Sequence, residues 1–134
     1  MMTNDGQQLK KTIPYGYASL VWHPRTGNLV VTLSLTSLLA ARLYSASIRQ
    51  GDCAASGPVV FPLLDVLADG HGNACSTTTI TGVTAGIPSS GWYIAVHADP
   101  GLTTSQPAAP VYCGNITNAA PNSNHVQIIR VRLA

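Results

Sequence analysis

Leu29, Val31, Leu33 and Leu35 recur at every second position. That spacing lines one face of a β-strand and scatters side chains around a helix. The same alternation returns in Tyr44, Ala46 and Ile48, in Trp92, Ile94 and Val96, and in Ile129, Val131 and Leu133. Turn-forming clusters separate these runs, notably His23-Pro24-Arg25-Thr26-Gly27-Asn28 and Asp69-Gly70-His71-Gly72-Asn73. The chain has no Glu, and 12 Gly and 9 Pro punctuate its short Thr- and Ser-rich segments. Strong helix formers are too few for substantial helix content. Strands are expected over residues 15–22, 29–35, 42–48, 59–68, 74–81, 92–98, 111–116 and 125–133. Pro62 confines the fourth run to a sheet edge or an irregular path. Seven or eight strands with no helix between them predict an all-β fold, an antiparallel Greek-key β-sandwich or flattened barrel.

At 134 residues the chain has room for one core. Residues 1–14 read as a polar arm ending at Pro14, and residues 15–134 as the sandwich domain. Hydrophobic residues make up 46%, which argues against disorder. Charged residues are only 9%, against about 25% in ordinary domains. Such a surface offers little repulsion against association. The net charge of +2 is scattered and only Lys10 and Lys11 are adjacent, so no nucleic-acid partner is expected. Thr32, Ser34, Thr36 and Ser37 interrupt the longest apolar stretch, so no membrane span is expected. Residues 1–11 lack the apolar centre of a secretory leader. Three Cys suggest one disulfide and one remaining thiol, with three pairings open. A structural disulfide implies an oxidising compartment, hence an extracellular or cell-surface location. Cys75 reads as a small buried strand residue.

Three fragments occur in order: Ser47-Ile48-Arg49-Gln50-Gly51-Asp52-Cys53, Trp92-Tyr93-Ile94-Ala95-Val96-His97-Ala98-Asp99-Pro100-Gly101 and Val111-Tyr112-Cys113-Gly114. Together they resemble the framework of the Cu/Zn superoxide dismutase fold and of its secreted relatives, the chordin-type (CHRD) domains. The resemblance runs from about Gly16 to Leu133. It implies a disulfide between Cys53 and Cys113, leaving Cys75 free. It also implies that His97 stands at a copper-ligand position, while the His-x-His pair of the enzyme branch reads Ser47-Ile48-Arg49. Ser is a poor copper ligand, and Arg49 places a permanent cation where a metal would sit. No metal and no cofactor are therefore expected. His23, His71 and His125 have no evident common site.

No nucleophile elbow, phosphate loop or HExxH motif is present. With five Asp and no Glu, paired-carboxylate chemistry has little material, and Asp52 and Asp99 read as turn caps. Asn115-Ile116-Thr117 fits the N-glycosylation acceptor triplet. The expectation is a non-enzymatic extracellular domain, a structural subunit of a self-assembling surface or filament-like polymer. Its partners would be copies of itself, joined through the arm and sheet edges. The alternatives are a metal-binding, superoxide dismutase-like domain and a glycan-binding module. The latter needs Trp22, Tyr93 or Tyr112 on an open face.

Overall fold

The computed structural model of the chain describes residues 16–55, 57–98, 110–121 and 124–134. The expected arm, residues 1–14, and Asp99 lie outside them. Among the described residues nine strands follow in order: β1 (Gly16–His23), β2 (Asn28–Leu35), β3 (Leu43–Gln50), β4 (Val59–Pro62), β5 (Val66–Leu67), β6 (Ala74–Ile80), β7 (Trp92–Ala98), β8 (Tyr112–Ile116) and β9 (Gln127–Leu133). The count exceeds the expected seven or eight because the run over residues 59–68 divides after Pro62. Both pieces pair with the same strand, β3.

One sheet has the order β6-β2-β1-β9 and the other β4-β3-β7-β8, with β5 also on β3. Every pairing is antiparallel. The chain crosses between sheets after β2, β5, β6 and β8, which interleaves distant segments in a Greek-key manner. Alternation along the strands supplies the core. Leu20, Leu29, Leu33, Leu35, Ile48, Ile94, Val96, Ile116 and Leu133 are fully buried between the sheets. Each such side chain contributes about 1.5–3 kcal/mol of transfer free energy. Phe61 and Trp92 close one end in an edge-to-face pair, with ring centroids 5.4 Å apart.

The two long sides of the sandwich differ. On one side β8 and β9 converge, and the Cys113 and Ala134 backbones exchange two hydrogen bonds of 3.1 Å. Gly114 permits this approach, since a Cβ there would lie 2.6 Å from the Arg132 carbonyl oxygen. The other side is open. Between β5 and β6 runs a groove lined by Leu35, Leu67, Asp69, Asn73, Ala74 and Cys75. The Leu64 N–H, donating to Thr78 Oγ1 at 2.9 Å, spans that side.

Cys75 corrects one expectation: it is exposed, not buried. Its ladder partner is Ser34, and both point away from the core with Thr77 and Thr79. The inward positions of β6 are Ala74, Ser76, Thr78 and Ile80. We therefore expect one thiol per native chain to react with a disulfide reagent before unfolding. A thiol released only in denaturant would contradict this placement.

Candidate functional site

The outer face of the β3–β7 pair gathers the residues that the sequence singles out. In the ladder, Ser45 faces His97, Ser47 faces Ala95 and Arg49 faces Tyr93. Ser47 and His97 are thus diagonal neighbours on one face, and Arg49 stands one pleat beyond Ser47. Cys113 and Asn115 of β8 continue the rows, opposite Ala95 and Tyr93.

A strand with one wet face should alternate, yet Tyr93, Ile94, Ala95 and Val96 are all buried. The segment after β3 folds back over this face and covers it. Cys53 bonds to Cys113, with their Cα atoms 6.0 Å apart. The Cys53 N–H donates to Asn115 Oδ1 at 2.8 Å. The Gly57 N–H donates to the Tyr93 hydroxyl at 3.0 Å. Pro58 O accepts from the Gln50 N–H at 3.0 Å. Gly57 is packed so closely on the Gln50 carbonyl that a Cβ has no room there. The Asp52 carboxylate accepts from the Ala54 N–H at 2.9 Å, so Asp52 acts as a turn cap.

Arg49 occupies the middle of this covered face. Its Nε donates to Ser47 Oγ at 3.1 Å, and Nη1 donates to Gly57 O at 2.9 Å. The guanidinium therefore engages one of the two side chains that would have to turn towards a metal. Among the described residues no group of three or more His, Cys, Asp or Glu converges as a metal ligand set. His23 ends β1, His71 lies in the turn over residues 69–73, and His125 precedes β9. None of these three shares the face of His97.

Partial burial, and then the nearby Arg49 charge, hold the His97 imidazole below its ordinary value of 6.5. The unfolded chain thus takes up this proton at a higher pH than the folded one. Stability contributed by neutral His97 is full above about pH 6.5 and is lost as pH falls through the lower folded value. The melting temperature should drop on acidification through this range, and His97→Gln should remove that component. An unchanged pH profile in the variant would contradict the assignment.

The other expected positions separate. Asn115 is exposed on β8, with its Oδ1 held by Cys53. The side-chain nitrogen, the atom an N-linked glycan takes, lies outside that bond. Trp22, Tyr93 and Tyr112 are 6%, 3% and 2% exposed, so none of them lines an open face. Trp22 donates through Nε1 to Val83 O at 2.6 Å, and the Tyr112 hydroxyl donates to Thr36 O.

One constellation has no signature in the sequence. Gln127 and Asn118 are buried, and together they tie the segment before β7 to the β8–β9 crossover. Gln127 Oε1 accepts from the Ile87 N–H at 3.0 Å and from Asn118 Nδ2 at 3.2 Å. Gln127 Nε2 donates to the Ala120 and Pro121 carbonyls, and Asn118 Nδ2 also donates to Ile87 O at 2.7 Å. These amides satisfy main-chain groups that the crossovers leave without ladder partners.

Comparison of the chain with family models, curated proteins and solved structures gives no match. Among the described residues, no helix is long and apolar enough to cross a membrane.

Proposed function

We propose that this chain is a non-enzymatic extracellular β-sandwich that serves as a structural subunit of a self-assembling surface or filament-like polymer. The observation that carries the reading is where large apolar side chains meet water. Leu43 and Leu67 are ladder partners on β3 and β5, yet they are 42% and 63% exposed. Leu64, in the same edge segment, is 58% exposed. In a chain with only 9% charged residues, such a side favours contact with another copy. The Cys53–Cys113 disulfide fits an oxidising, extracellular setting. The chordin-type resemblance supports the same setting.

The arm is the expected linking element. Residues 1–14 carry few apolar anchors: Met1, Met2, Leu9 and Ile13. Ordering them costs about 1–2 kcal/mol per residue, more than those side chains alone can offset. Main-chain pairing with a neighbouring copy supplies the rest. Light scattering should show the full chain in oligomers and a chain lacking residues 1–12 as a folded monomer. Equal association of the two chains, or a monomeric full chain at high concentration, would contradict the reading.

Arg49 speaks against the metal-dependent alternative. Elemental analysis of the purified protein should find no stoichiometric copper or zinc. Ser47→His with Arg49→His should gain copper binding that His97→Ala removes. Stoichiometric copper in the unaltered protein, lost on His97→Ala, would replace the structural reading with the metal-dependent one.

A further inference from the structure

We infer that the open β5–β6 side is the acceptor for the N-terminal arm of a second copy, which adds as a strand to the free edge of β6. The inference rests on the self-assembly reading and names its contact surface.

The two edges of the β6-β2-β1-β9 sheet are protected unequally. β9 carries Arg130 and Arg132, and the residue after it bonds to β8. β6 reads Ala-Cys-Ser-Thr-Thr-Thr-Ile, with no charge and no proline, and it pairs with β2 without a bulge. Folded domains ordinarily blunt exposed edges with charges, prolines, bulges or a covering segment. On β6 the cover is the two-residue strand β5, which lies close by, and one hydrogen bond from the Leu64 N–H to Thr78 Oγ1, and the groove stays open beside Ala74 and Cys75. The Ser76 hydroxyl, also on β6, is the one buried side-chain oxygen or nitrogen without a hydrogen-bond partner among the described residues.

Charge and pattern choose the occupant. Asp69 lines this groove and Asp65 is exposed immediately before β5, two of only five acidic residues in the chain. Backbone N–H groups of Asn73 and then His71 hold the Asp69 carboxyl below the usual carboxylate range, so it stays ionised. The arm holds the adjacent pair Lys10-Lys11. In an extended arm Leu9, Lys11 and Ile13 share one face. That face sets two apolar side chains against Leu64 and Leu67, with an ammonium between them for the carboxylates. Fifteen residues precede Gly16, and fully extended they reach about 50 Å, ample to cross to a neighbour. One donor and one acceptor on different surfaces make a heterologous contact, which propagates head to tail.

The test mixes two variants. One lacks residues 1–12 and keeps the groove. The other keeps the arm and carries Asp65→Lys with Leu67→Lys, both at exposed positions. Asp69 is left in place because its carboxylate accepts the His71 and Asn73 N–H groups. Each variant alone should be monomeric by light scattering, and the mixture should form a 1:1 complex. A synthetic peptide of residues 1–14 should block assembly of the unaltered chain, and its Lys11→Asp version should do so at least tenfold less well. The peptide arm stands even where the groove variant fails to fold. If the groove variant assembles as the unaltered chain does, the acceptor lies elsewhere while the self-assembly reading survives. No complex on mixing, with the unaltered chain still assembling, overturns the arm-to-groove contact. A monomeric unaltered chain overturns both.

Discussion

Replacing both Cys53 and Cys113 by Ser should lower unfolding stability by about 4 kcal/mol, the loop-entropy value for a closure of this size. The bond joins residues 60 apart in sequence, so its loss frees a large part of the unfolded chain. The folded state suffers as well. The covering segment would be held by the Asn115–Cys53 and Tyr93–Gly57 hydrogen bonds and its few other main-chain bonds. Tyr93 and Ala95 would gain access to water. Denaturant titration of oxidised protein and the double variant gives the difference, and non-reducing peptide mapping gives the pairing. A difference under about 1 kcal/mol, or a bridge containing Cys75, would refute the claim.

Gln127→Leu should cost about 2–4 kcal/mol, although it adds apolar volume to a buried position. The reason is the company Gln127 keeps. Its loss leaves the Ile87 N–H unpaired beside a side chain that is 0% exposed, and removes one partner of Asn118. The Ala120 and Pro121 carbonyls lose their donor at the same time. The stranded Ile87 N–H and the weakened Asn118 amide, both buried, cost about 1–3 kcal/mol each, while the Ala120 and Pro121 carbonyls, nearer the surface, can turn to water. Ile128→Thr, at an adjacent and 66% exposed position, should change stability by less than about 0.5 kcal/mol. Thermal unfolding of both variants decides the matter. Equal melting temperatures would mean that the amide network contributes nothing.

The sequence made the sheets legible where one face is wet and the other dry. β2 shows this best: Leu29, Val31, Leu33 and Leu35 are all buried. Pro62 marked the irregular edge correctly, but the break after it is a feature of pairing to β3 that no local signal announces. The residue type of Cys75 favours burial, whereas the pleat of β6 groups it with the exposed Thr77 and Thr79. Parity with those threonines was the available clue. Period two in Trp92, Ile94 and Val96 marks β7 and its core face, but not the burial of Tyr93 and Ala95 on the other face. Its second face is dry because residues 51–55, 57 and 58 lie over it, a consequence of contacts made far along the chain. Gln127 and Asn118 were invisible for a similar reason. An amide in a polar loop looks solvated until the segment it must satisfy folds against it.

The place of β1 also has a consequence in time. It sits between β2, its immediate successor, and β9, which follows every other strand, with Gly16 opposite both Leu35 and Leu133. The first pairing closes a short hairpin and can form in microseconds, while the second closes nearly the whole described chain and must wait for it. Until β9 arrives, one edge of β1 has no partner. A chain emerging from a ribosome or crossing a membrane in order would carry that bare edge throughout, and refolding should be limited by the docking of its last strand.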